Sequence, residues 1–167
     1  RIATLKRGEL PVVEPDLPEL LEKNACRIRF TADPHELASC DMVYVAPDVP
    51  TDDHGLSDLG QLDALISQVD SVLRQDVAMI ILSQVPPGFT RGRLRDRRPL
   101  YYQVETLIFG RAVERALCPE RFIVGCAEPK QPLPPVFAHF LGSFGCPILP
   151  MRYESAELAK ISINMCL

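Results

Sequence analysis

The sequence predicts an α/β domain, a doubly wound and mostly parallel sheet with helices on both faces. Three segments carry that expectation. Val77–Leu82 (VAMIIL) is an unbroken apolar run, the pattern of a strand buried on both faces. Met42–Ala46 (MVYVA) is a second apolar strand. Between them, Leu59–Leu73 places Leu62, Leu65, Ile66, Val69 and Val72 or Leu73 at a helical spacing of three and four. A strand, an amphipathic helix and a buried strand in succession describe a parallel crossover.

The remaining elements run in chain order. RIATLKRGELP reads as the tail of a helix, and Cys26–Phe30 as a short alternating strand. Pro34–Ser39 is a helical turn. After the Pro-Pro-Gly break beyond Leu82, a helical segment is expected from Thr90. Leu100–Val104 and Phe122–Val124 read as further strands, and Phe137–Gly142 as a helix behind the proline-rich stretch 129–135. Ile148 and Leu149 form a last strand before a terminal helix, Ser155–Leu167. The chain begins at Arg1 rather than Met and stops within a helix that has no Gly or Pro stop signal, so it reads as a piece of a longer protein.

At 167 residues the chain is long enough to bury a core. Its 18 basic and 22 acidic residues leave a net charge of −4, which gives no reason to expect a nucleic-acid or membrane surface. No apolar run approaches the roughly 20 residues that span a bilayer. Six cysteines are scattered without a CxxC pair, the pattern of reduced thiols in a cytoplasmic protein rather than of a disulfide scaffold or zinc site. No metal is expected: His54 among Asp52, Asp53 and Asp58 reads as a solvated loop.

In sheets of this kind ligands sit at the carboxyl ends of strands. That places two loops on the functional edge, PDVPTDDHG after Met42–Ala46 and SQVPPGFTR after Val77–Leu82. In the first, Pro50 and Thr51 hold a hydroxyl at the sheet edge. In the second, two prolines stiffen the backbone, Gly88 lets it turn and Thr90 can cap the next helix. Such a loop suits a flat cofactor ring, although locally it is equally a plain strand-to-helix turn. Glu105, after LYYQV, lies on the same edge, as a ligand for sugar hydroxyls or as an acid at a helix start. The run Arg91, Arg93, Arg95, Arg97 and Arg98 reads as solvated surface, with phosphate binding as the alternative. On the terminal helix Lys160 and Asn164 stand four residues apart on one face. By spacing alone they read as a solvated lysine and an asparagine that interrupts the face, with a cation and an amide able to hold a developing negative charge as the alternative.

Taken together, RGELPVVEPDLPELL, RIRFTAD, the Pro50-Thr51 loop, SQVPPGFTR, CPERFIVG and SAELAKISIN resemble the UDP-glucose/GDP-mannose dehydrogenase family, in order and over nearly the whole chain. The resemblance implies a Rossmann-like domain over residues 1–150, lacking its first strand-helix unit. Residues 151–167 then form the start of a long central helix that pairs two subunits in a homodimer. It implies a nucleotide-sugar 6-dehydrogenase of polysaccharide biosynthesis, oxidising the C6 hydroxyl of a UDP- or GDP-sugar to a carboxylate with two NAD. The alternative is a divergent sugar-nucleotide-binding protein that keeps the fold without oxidation.

By the same resemblance Lys160 and Asn164 are catalytic, steadying the oxygen anion and positioning water. Pro50, Thr51 and Gln84 border the cofactor, and Glu105 binds substrate. Two positions depart from the family: Gln84 stands where STVPPGTT has Thr, and Phe109 where PEFLREG has its second acid. The family's GxGxxG loop is not in this sequence, and none of the six cysteines sits in the motif of the family's nucleophile. The isolated chain is accordingly expected to be inactive and to bind NAD without measurable affinity.

Overall fold

The computed structural model describes residues 2–94 and 98–166. Five strands form one sheet in chain order: β1 (Met42–Val45), β2 (Ala78–Ile81), β3 (Leu100–Gln103), β4 (Phe122–Cys126) and β5 (Ile148–Arg152). β1, β2 and β3 are parallel, with Tyr44 opposite Ile80 and Ile80 opposite Tyr101. β4 runs antiparallel to β3, and β5 pairs parallel with β4. The mostly parallel α/β sheet is therefore present, with one reversal between β3 and β4.

Alternation along β2 divides the core. Met79 and Ile81 face one layer with Leu62 and Val69 of α3 (Gly60–Val72) and with Tyr153 and Ala156 of α6 (Tyr153–Cys166). Ala78 and Ile80 face the other layer, with Phe137 and Leu141 of α5 (Pro135–Gly142). All four β2 residues are buried, as an apolar run between two covered faces requires. In the second layer Tyr101 and Phe137 meet at 5.3 Å between ring centroids, and Phe122 and Phe144 at 5.2 Å. Burying one such ring contributes about 2–3 kcal/mol.

Two short helices were not expected from periodicity, α2 (Leu17–Lys23) and α4 (Ala112–Leu117), while α1 (Ile2–Lys6) matches the predicted helical tail. The predicted strand Cys26–Phe30 is not one. Ala25–Arg27 is a 3-10 turn, and Ile28 is extended without a paired neighbour among the described residues. A strand's alternating pattern is realised only where a second strand meets its backbone groups. The helix expected from Thr90 is a single 3-10 turn, Arg91–Arg93; Arg95, Asp96 and Arg97 lie outside the described residues, as do Arg1 and Leu167.

Within the arginine run the solvated reading fails for Arg98. Arg91 pairs with Glu154 and Arg93 with Asp63. Arg98 is nine-tenths covered, bonds Asp70 and donates to the Asp70 and Leu73 carbonyls at 3.3 and 3.1 Å. It thus satisfies acceptors left open at the end of α3. Arg91 thus remains at the solvated surface in an ion pair, Arg93 is half-buried, and Arg98 is withdrawn from solvent.

One glycine decides where α6 lies. A Cβ on Gly125 would meet the Ala156 Cβ at 3.0 Å and the Tyr153 Cα at 3.2 Å. Lacking that atom, β4 lets the helix backbone press on the sheet, and the Tyr153 hydroxyl donates to the Leu100 carbonyl at 2.6 Å. The helix then packs against β4, β3 and β5, and its later turns carry Lys160 and Asn164 to the cavity at the carboxyl edge.

Candidate functional site

Gln84, Glu105, Lys160 and Asn164 line one cavity of about 500 Å³ at the carboxyl edge of β1–β3, together with Ala46, Asp48, Val49, Leu82, Ser83 and Leu107. Three loops and one helix converge there because the parallel strands all end on the same side. The Ser83 hydroxyl donates to the Pro47 carbonyl at 2.6 Å, joining the loop after β2 to the loop after β1.

Lys160 is buried on α6. Its Nζ donates to the Glu105 main-chain oxygen at 2.6 Å and lies 3.3 Å from the Glu105 carboxylate. Two of the three ammonium hydrogens are thereby committed, and one remains for an oxygen in the cavity. The carboxylate also accepts from the Leu107 amide, so Glu105 shapes its own loop rather than starting a helix. One turn further along, Asn164 Nδ2 donates to Gln84 Oε1 at 2.5 Å. That bond orients both amides and leaves the Asn164 oxygen as an acceptor and the Gln84 nitrogen as a donor. The site therefore offers a cation, an amide donor, an amide acceptor and a carboxylate within one concavity.

Pro50 and Thr51 stand apart from this group. Both are exposed and neither lines the cavity. The Thr51 hydroxyl is 3.1 Å from the Ser57 hydroxyl, closing the loop on itself. Asp52 accepts the His54 and Leu56 amides at 2.9 and 2.8 Å, so that acid serves the turn. Phe109 is 89 % exposed and does not reach the cavity.

Two acids central to the geometry carry no signal of a role in the motifs themselves. Glu157, fully buried, accepts the Gly88 amide at 2.6 Å and the Thr90 amide at 2.8 Å, tying the proline loop to α6. Only its spacing, three from Lys160 and seven from Asn164, puts it on their helix face and could have singled it out. Glu14, also buried, accepts the Gly110 amide at 2.9 Å and the Ala112 amide at 2.6 Å, fixing the loop between Glu105 and α4. Its partners lie nearly a hundred residues away, beyond any local pattern. Between these layers Tyr102 is fully buried, and burial, reinforced by the Glu157 and Glu105 charges, pushes its phenol far up, so it stays protonated.

A mostly parallel sheet covered by helices on both faces, with a cavity at the carboxyl edge of its parallel strands, defines a Rossmann-like domain. The model of the UDP-glucose/GDP-mannose dehydrogenase family, NAD binding domain, matches residues 1–133, and the chain belongs to that family. It is 33 % identical over 181 residues to a UDP-glucose 6-dehydrogenase of Pseudomonas aeruginosa, covering 98 % of this chain and 40 % of that protein. It is 28 % identical to UDP-glucose 6-dehydrogenase TuaD of Bacillus subtilis, covering 98 % and 38 %. Among solved structures, a ternary complex of GDP-mannose dehydrogenase from Pseudomonas aeruginosa superposes with a TM-score of 0.86 at 19 % identity, covering 99 % of this chain and 42 % of that one. At that identity the likeness establishes the fold. The chain spans about two-fifths of the length of these relatives. The cofactor served by the matched domain is NAD.

Proposed function

We propose that this chain is part of a nucleotide-sugar 6-dehydrogenase that oxidises the C6 hydroxyl of a UDP- or GDP-sugar to a carboxylate with two NAD. The observation that carries this reading is the convergence of Lys160, Asn164, Gln84 and Glu105 in one cavity at the carboxyl edge of the sheet. Ala46, Val49 and Leu82 give that cavity an apolar wall suited to a nicotinamide ring. When bound, NAD takes up the two electrons lost at each oxidation of the sugar carbon.

The residues of this chain would hold the sugar oxygen while that happens. The uncommitted hydrogen of Lys160 Nζ faces the oxygen as negative charge develops on it, and the Gln84 amide supplies a second donor. The Asn164 oxygen, oriented by its bond to Gln84, accepts from a hydroxyl or from the water that supplies the second carboxylate oxygen. Glu105 holds the lysine and offers its remaining acceptor capacity to the sugar. In this reading residues 1–150 form the NAD-binding domain. Residues 151–167 begin a central helix that pairs two subunits into a homodimer in the cytoplasm.

The test is an assay of the full-length protein against a panel of UDP- and GDP-sugars, following NADH and the acid product. Two NADH per sugar acid supports the proposal. Tight binding of a nucleotide sugar without NAD reduction would replace it with the non-oxidising reading, to which the exposed Phe109 in place of the family's second acid lends support.

A further inference from the structure

We propose that Glu157 is a positioning residue for this site, acting through the stiff loop 84–90 to set Gln84 against Asn164; the inference rests on the function proposed above. Glu157 is not among the cavity-lining residues, so it does not meet substrate directly. Its carboxylate is fully buried, and a buried ion costs several kcal/mol unless its acceptors are filled. Two amides fill them, Gly88 at 2.6 Å and Thr90 at 2.8 Å, one on each oxygen.

Spacing alone would not need a charge there. A glutamine would occupy the same volume, yet it presents one oxygen and one NH₂, and the NH₂ would oppose one of the two amides. The carboxylate is the side chain that accepts both. Gly88 makes the double grip feasible: its φ of 93° lies in the left-handed region and turns its amide toward Glu157.

The grip is transmitted by the chain between. Pro86 and Pro87 fix φ at consecutive positions, so the backbone from Gly88 back to Gln84 behaves as a short rigid arm. Val85 is buried and anchors the arm from below. At its far end Gln84 meets Asn164 at 2.5 Å, seven residues beyond Glu157 on the same helix face. Glu157 and Asn164 therefore hold one loop at two points of one helix. Loss of the first point lets Gln84 drift, and the Asn164 amide loses the partner that orients it. A displacement of about 1 Å at such a site costs roughly 100-fold in rate.

The experiment uses the full-length protein with Glu157→Gln, Gln84→Ala and the double variant. Amide hydrogen exchange across residues 84–90 is read without ligand, and kcat and KM are read with the nucleotide sugar that gives the fastest NAD reduction. The expected result is faster exchange at Gly88 and Thr90 in Glu157→Gln, with kcat and kcat/KM falling together by roughly 100-fold. The double variant should lose little more than Gln84→Ala, because both changes act through one arm. Should Glu157→Gln fail to fold, Glu157→Asp withdraws the same charge by one methylene and should show the same exchange signature. Unchanged exchange in a folded variant overturns the proposal, as does full kcat despite fast exchange or additive losses in the double variant. A wild-type protein that oxidises no nucleotide sugar would remove the functional reading, while exchange across 84–90 would still decide whether Glu157 clamps the loop.

Discussion

Lys160 Nζ lies 2.6 Å from the Glu105 main-chain oxygen and 3.3 Å from its carboxylate, so one residue of the β3 exit loop holds the lysine by both backbone and side chain. The ammonium is kept from solvent and aimed along the cavity without a second acid. Lys160→Met keeps the length and removes the charge. In the full-length protein this substitution should lower kcat by about 10²–10³, the loss typical of one donor at a developing oxyanion. Circular dichroism should be unchanged, and a kcat within tenfold of the wild type would remove Lys160 from the chemistry.

Asn164 and Gln84 are both exposed but bonded to each other at 2.5 Å. A double-mutant cycle of Gln84→Ala and Asn164→Ala, followed by urea denaturation, should give a coupling of about 0.5 kcal/mol, the lower end for a neutral hydrogen bond. Strict additivity would mean that the two amides act independently in solution.

Gly88 and Gly92 form a matched pair. A Cβ meets nothing within 4 Å at either position, but only Gly88 has positive φ, at 93°. Gly88→Ala should therefore cost about 1–2 kcal/mol of stability through backbone strain alone. Gly92→Ala should stay within about 0.5 kcal/mol of the wild type. Equal effects in thermal melts would place the cost in packing instead.

The Arg91 guanidinium, with help from the Glu154 backbone amide, holds the Glu154 carboxyl down to about 2, against an ordinary value of 4.5. A folded-state pKa below the unfolded one adds stability above the unfolded value, which is lost as pH falls through the folded value. Both side chains are about two-fifths exposed, at 42 % and 39 %, so solvent screening limits the pair to about 0.2–1 kcal/mol. Glu154→Gln should thus be slightly less stable than the wild type near neutrality. The gap should narrow from about pH 4.5 downward and close near pH 2, the interval between the unfolded and folded values of this carboxyl. Urea midpoints measured across that range check it, and a gap that persists at pH 2 would assign the effect to packing.

Much of the fold was legible because its signals are local. VAMIIL declares a strand covered on both faces, and α3 declares its buried stripe at Leu62 and Val69. The Lys160–Asn164 spacing declares a shared helix face whatever lies opposite. Cys26–Phe30 misled for the converse reason: its alternation satisfies a strand's side chains, but no neighbouring strand among the described residues meets its backbone. Arg98 misled in the same way, since the acid and carbonyls that hold it lie at the end of α3.

The sequence by itself determined the α/β class, the loops placed at the carboxyl edge, and the helix face that carries Lys160 and Asn164. These depend on hydrophobic period and on residues a turn apart, interactions that the chain encodes within a short window. Only the tertiary structure decided that Glu105 holds Lys160, that Gln84 meets Asn164 and that Glu157 grips the loop between them. Each of those bonds joins residues more than fifty positions apart. Their geometry depends on the absence of a side chain at Gly125, which sets how closely α6 approaches the sheet.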